Sequence, residues 1–130
     1  MTDPIGAMLN MLKNAGNAER PFIVVPYSKM KEAVATCLNT HGYAGSISKK
    51  VKKGVPSLEI EVMYNENGTP RIKDVSRISK PSRRMYTGYK ELKSYKNGHG
   101  MSVLSTPKGI LADKDARKEL VGGEVLFKIS

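Results

Sequence analysis

The chain has 130 residues, 39% of them hydrophobic, with no Trp, two Phe and one Cys. That length accommodates one domain, or two small lobes sharing an aliphatic core, and excludes anything larger. Lys and Arg outnumber Asp and Glu by 22 to 12, a net charge of +10, so the field of the molecule attracts polyanions and puts nucleic acid first among partner classes. The lone Cys37 cannot form an intramolecular disulfide, nothing at the start reads as a secretion signal, and no apolar run approaches the roughly 20 residues that span a bilayer. The expectation is a soluble intracellular protein.

Asp3-Pro4 reads as a helix N-cap followed by Pro at the first helical position, with Ile5, Met8, Leu9 and Leu12 on one face and Gly16 as the stop. Phe22-Ile23-Val24-Val25 reads as a short buried strand ended by Pro26. Ser28 caps a second helix whose apolar stripe is Met30, Ala33, Val34, Cys37 and Leu38, closed by Gly42. Two β segments follow, Ser46 to Val51 and Ser57 to Tyr64, the latter alternating Leu58, Ile60, Val62 and Tyr64 with Glu59, Glu61 and Met63. The first half is therefore α-β-α-β-β, with both helices expected on one face of the sheet.

Asn65-Glu66-Asn67-Gly68 is a turn cluster, and beyond it short strands with many Gly and Lys replace the amphipathic helices. Strands are expected over Arg71 to Ile78, Arg84 to Tyr86, Met101 to Ser105 and Glu124 to Ile129, with a short helix near Lys114 to Leu120 capped by Asp113. The predicted fold class is α/β (α+β): an N-terminal α/β lobe over residues 1–66 and a mainly β lobe with one short helix over 67–130. Charge divides unevenly between them. Residues 1–67 carry net +2 and residues 68–130 net +8. From Arg71 to Lys108 ten cations face only Asp74 and Glu91, interleaved with Tyr86, Tyr89 and Tyr95, a mixture suited to phosphate contact and base stacking.

The stretch Gly98 to Gly109 is the most specific segment. Ser105 and Thr106 end a strand and can donate to or accept from base edges, phosphates or 2′-hydroxyls, while Pro107 and Gly109 tighten the loop and Lys108 adds charge. An ordinary turn in which the hydroxyls cap local backbone is the competing reading. Arg77 to Tyr86 contains four cations besides the ring, readable as a phosphate clamp or as a charged edge loop that protects a strand. Cys37 and His41 stand four apart, but a core thiol and a helix-end residue explain them better than a metal pair. No nucleophile and base, and no metal set, emerge, so an enzyme is not expected.

These residues resemble, from end to end, the bacterial-type small-subunit ribosomal protein S-eight family. The resemblance rests on Met1-Thr2-Asp3-Pro4-Ile5, on Pro26 with Ser28-Lys29-Met30-Lys31, on Arg77-Ile78-Ser79-Lys80-Pro81 leading to Arg84-Met85-Tyr86, and on Asn97-Gly98-His99-Gly100. The closing run is its strongest part: Ser105-Thr106-Pro107-Lys108-Gly109-Ile110-Leu111, then Asp113, Ala116-Arg117 and Gly122-Gly123-Glu124-Val125.

The resemblance implies a two-lobed, non-enzymatic constituent of the small ribosomal subunit. Such a protein binds a stem in the central domain of the small-subunit ribosomal RNA, aids assembly of that domain and, in some members, represses its own messenger RNA. The implied partners are this RNA and neighbouring small-subunit proteins, with no membrane, cofactor, metal or small-molecule substrate, in a cytoplasmic protein that is monomeric off the ribosome. The RNA contacts it implies are Ser105, Thr106 and Pro107, flanked by Tyr86 and Lys108, with Arg83, Arg84 and Glu124 beside them. In the first lobe it implies Thr2, Asp3, Pro4, Asn14, Ser28 and Lys31. The chain departs from the family pattern at Met11 and Lys13, where many members carry Arg, at Ser82 in place of Gly, and at Ala112 in place of a hydroxyl residue.

Overall fold

The computed structural model describes residues 3–79, 82–92 and 100–130. The chain forms two compact units. One is Pro4–Lys73, here the N-terminal lobe; the other takes Asp3 and the described residues of Asp74–Ser130, here the C-terminal lobe. The division falls after Lys73 rather than at the expected 66/67, because the chain beyond the turn folds back on the first lobe. Tyr64 bridges Pro70, the Arg71 amide donates to the Met63 carbonyl, and Ile72 is buried.

The N-terminal lobe runs α1 (Pro4–Asn17), β1 (Phe22–Pro26), α2 (Lys29–Thr40), β2 (Ala44–Lys52) and β3 (Val55–Val62), the expected α-β-α-β-β order. The antiparallel sheet has the order β1-β3-β2, with Ile23 opposite Ile60 and Val25 opposite Leu58. Period-2 alternation puts Ile23, Val25, Leu58, Ile60 and Val62 on one buried face. Both helices pack on the sheet, α1 through Ile5, Met8, Leu9 and Leu12 and α2 through Val34, Ala35, Cys37 and Leu38. Each fully buried aliphatic side chain here contributes about 1.5–3 kcal/mol.

Three details correct the sequence reading. Gly16 lies inside α1, where Pro70 packs so closely that an added Cβ would come within 2.8 Å of it. The helix stops at Glu19 instead (φ 58°), whose amide donates to the Gly16 carbonyl while that of Arg20 reaches back to Ala15. β1 is an edge strand buried on one face only, leaving Phe22 and Val24 exposed. Met30 is exposed rather than part of the α2 stripe. By contrast Ser28 caps α2 as expected, its hydroxyl accepting from the Lys31 amide at 3.1 Å, and Gly42 (φ 82°) follows the helix end.

The C-terminal lobe contains β4 (Val75–Arg77), β5 (Tyr86–Thr87), β6 (Met101–Thr106), β7 (Gly109–Ala112), α3 (Asp113–Lys118) and β8 (Gly123–Ile129). Its antiparallel sheet has the order β4-β8-β6-β7, and β5 pairs with the start of β8. Val103, Leu104, Leu126, Phe127 and Ile129 are its core, with Ala116 of α3. β4 covers less than the expected Arg71 to Ile78, since Arg71 and Ile72 belong to the other lobe, and β7 was not foreseen. Asp113 does not cap α3. Ala112 holds that position without a side-chain hydrogen bond, and Asp113 is a buried first-turn carboxylate 3.6 Å from Arg117.

Candidate nucleic-acid interface

β8 organises the site because two strands meet it at one residue. Tyr86 of β5 and Ser105 of β6 are both directly opposite Glu124, from its two sides. Opposed residues of antiparallel strands project to the same face, so Tyr86, Glu124 and Ser105 form one row across three strands. Gly122 and Gly123 make the row possible. A Cβ on Gly123 would lie 2.0 Å from the Ser105 carbonyl oxygen, and one on Gly122 would lie 2.2 Å from that of Thr87.

Glu124 is held from one side. The Ser79 hydroxyl and, at 3.0 Å, the Arg84 guanidinium both donate to its Oε2. Burial alone would raise its pKa, but these two hydrogen bonds, with the charges of Arg84 and Arg77, outweigh it and hold the carboxyl below its ordinary value. Among the described residues nothing donates to Oε1, which therefore remains an acceptor on the residue at the centre of this row. The same ion pair raises the Arg84 pKa, first through its hydrogen bond to Glu124. Ser79 is the hub that the sequence reading missed. It is fully buried, and its oxygen also accepts from the Met85 amide at 3.1 Å. Its neighbours in the sequence marked a basic run, and nothing local signalled a serine turned inward.

The expected clamp of cations is accordingly reduced. Arg77 is paired with both oxygens of Asp3, at 3.0–3.2 Å from Nε, and also donates to the Leu126 carbonyl. Lys80 lies outside the described residues, as do Thr2, Tyr95 and the first part of the glycine-rich stretch, Gly98 and His99. Arg83 is exposed and Tyr86 is 71% exposed. Pro107 and Lys108 form the two-residue turn of the β6–β7 hairpin, closed by Thr106 opposite Gly109. Thr106 matches the turn-capping reading: its hydroxyl accepts from the Lys108 amide at 3.1 Å and donates to the Gly109 carbonyl at 2.8 Å. Ser105 is half-buried, and its hydroxyl has no hydrogen-bond partner among the described residues. Lys108 reaches Glu119 at 3.2 Å in an exposed pair worth at most about 1 kcal/mol.

The structure thus brings Tyr86, Glu124, Ser105 and the Thr106–Gly109 turn into one sheet, with Arg84 of the loop before β5 paired to Glu124. Pro4, Asn14, Ser28 and Lys31 belong to the other unit. Pro4 and Asn14 are exposed, the Ser28 hydroxyl is used as a cap, and Lys31 Nζ donates to the Pro26 carbonyl at 3.1 Å. Asp3, expected both as cap and as contact, carries the Arg77 guanidinium.

The family model described as ribosomal protein S8 matches residues 3–130. The chain belongs to the ribosomal protein S8 family. It is 43% identical over 129 residues to the small ribosomal subunit protein uS8 of Erythrobacter litoralis, 44% to that of Novosphingobium aromaticivorans and 40% to that of Chlorobium phaeovibrioides. Each match covers 99% of this chain and 98% of the relative. S8 proteins are structural, non-enzymatic ribosomal proteins, which agrees with the reading of the motifs as non-catalytic. Among the described residues no helix of this S8 member is long and apolar enough to cross a membrane.

Proposed function

We propose that the chain is a structural constituent of the small ribosomal subunit that binds a stem in the central domain of the small-subunit ribosomal RNA and aids folding of that domain. The observation that carries this reading is the row Tyr86–Glu124–Ser105 beside Arg84. An exposed ring offers a face for a base. A hydroxyl with no other partner among the described residues and an open carboxylate oxygen suit base edges or a 2′-hydroxyl, and a carboxylate favours exocyclic amino donors over phosphate. Arg83 and Lys108 supply phosphate attraction at the margins.

Within this reading Ser105 selects and Thr106 with Pro107 shapes the turn that presents it. Neighbouring small-subunit proteins are partners, and repression of its own messenger RNA would use the same row on a similar stem. Thr2, Asp3, Pro4, Asn14, Ser28 and Lys31 remain a second, weaker set of contacts. Lys31 is the member whose chemistry best suits RNA, and Asp3 is the least suited because its carboxylate is already paired.

Binding of an irregular central-domain stem and of a regular duplex, measured across a salt series, tests the assignment. Ser105→Ala is expected to reduce the preference for the irregular stem about tenfold while leaving the salt slope unchanged. Arg83→Ala should instead lower the slope by about one phosphate contact and weaken both RNAs alike. If Ser105→Ala discriminates as well as the parent, the row is not the reader.

A further inference from the structure

The N-terminal sheet has an open edge, and its hydrogen-bond parity is determined. The Val62 amide donates to the Pro21 carbonyl, and the Tyr27 amide donates to the Pro56 carbonyl. With Ile23 opposite Ile60, these bonds put residues 21, 23, 25 and 27 in the pairs that exchange hydrogen bonds with β3. The N–H and C=O groups of Phe22 and Val24 therefore point away from β3. β1 ends the sheet order, and no described strand takes them up.

Beside this edge lies a cleft of about 580 Å³, lined on the α1 side by Met11, Asn14 and Ala18 and on the strand side by Phe22 and Val24, with Arg20 at the chain reversal. Met11 is 41% exposed, Phe22 47% and Val24 50%, so three large apolar side chains face water around two unpaired donors. Single exposed apolar residues need no explanation; an apolar cleft between a helix and a free strand edge has the form of a site for strand addition.

We propose that this cleft binds an extended peptide segment of a partner protein, apolar at alternate positions and carrying a carboxylate, which pairs with β1 as an added strand. The amides and carbonyls of Phe22 and Val24 bond its backbone, and its apolar side chains cover Met11 and Phe22. Arg20, whose guanidinium has no carboxylate partner among the described residues, receives the acidic group. Pro26 lacks an outward amide donor and the Arg20 amide is already bonded to the Ala15 carbonyl, which limits the added strand to about four residues. Charge decides between occupants. A second copy of the chain would set like net charge against like, whereas a carboxylate-bearing segment is attracted to Arg20 at the cleft. Nucleic acid is disfavoured by the apolar lining.

The full-length protein, titrated with the peptide acetyl-Val-Glu-Val-Glu-Val-amide and followed by amide hydrogen exchange, tests the proposal. Saturating peptide is expected to slow exchange at Phe22 and Val24 about tenfold. N-methylation of the peptide on its pairing edge should abolish the effect, a Val-Lys version should fail to bind, and Arg20→Glu should weaken binding about tenfold. Val24→Pro removes an outward amide that β3 does not use and should also abolish it. Retained protection at Ile23 and Val25 would show that the strand still pairs in that variant, and the methylated peptide serves if it does not. The proposal is overturned if no slowing occurs by about 1 mM peptide. It is equally overturned if N-methylation has no effect, if protection of Phe22 and Val24 grows with protein concentration alone, or if an RNA oligonucleotide produces it.

Discussion

The two sheets of this protein solve the same packing problem with different materials. In the N-terminal lobe one face of β1-β3-β2 is aliphatic and both helices cover it, while among the described residues no further strand pairs with either edge. In the C-terminal lobe the start of β8 is paired on both edges, and the polar centre of Ser79, Glu124 and Arg84 joins the loop before β5 to that strand. The first lobe depends on apolar area, which is indifferent to pH. The second adds a hydrogen-bonded carboxylate network that positions side chains more than it stabilises them. On the proposed function this difference assigns specificity to the second lobe, where side chains are held at fixed positions, and leaves to the first an apolar opening.

The largest expected effect is at the glycine that lets β8 and β6 approach. Gly123→Ala sets a Cβ against a backbone carbonyl that cannot move without parting the strands, and should cost at least about 4 kcal/mol in urea unfolding and abolish RNA selectivity. Leu58→Ala, at a fully buried site of the other sheet, should cost roughly 3 kcal/mol. That loss should be the same at pH 7 and near pH 4, and RNA selectivity at saturating folded protein should survive it.

Glu124→Ala strands Ser79 and Arg84 and should cost about 1–2 kcal/mol at neutral pH. Its pH dependence separates the lobes. Because the folded pKa lies below the unfolded one, the unfolded chain binds the proton first as pH falls, so the stabilisation is present above the ordinary carboxylate value near ~4.3 and is lost on acidification through the folded pKa. Glu124→Gln should therefore flatten the stability-pH curve in that acid range, and an unchanged curve would mean that the network contributes nothing. The smallest effect is a gain. Ala112→Ser gives α3 the side-chain cap it lacks and should raise stability by about 1 kcal/mol, read as a higher urea midpoint at constant slope.

Much of the N-terminal lobe was legible in the sequence because its signals are local and periodic. Ser28 caps the helix it precedes, and alternation in Leu58, Ile60 and Val62 marks the buried face of β3. What was misread there depends on distant partners: Gly16 looks like a stop until Pro70 packs on it, and Phe22 to Val25 looks fully buried until β1 proves to be an edge. In the C-terminal lobe composition located the basic half and the hydroxyl-bearing turn, but could not tell free cations from occupied ones. Arg77 and Asp3 are 74 positions apart, and Ser79 and Glu124 are 45 apart.

By itself, then, the sequence determined the α+β class, the order of the first five elements, the asymmetry of charge and, through its motifs, the S8 family. The first three follow from spacing or composition along the chain, and the family from the resemblance its motifs carry. Only the tertiary structure decided that Ser105, Glu124 and Tyr86 share a row, that Thr106 serves its own turn, and that among the described residues no strand takes up the outward groups of Phe22 and Val24. Those facts belong to strand register and sheet order, and register is set by long-range pairing across β8 and β3, which no local pattern encodes.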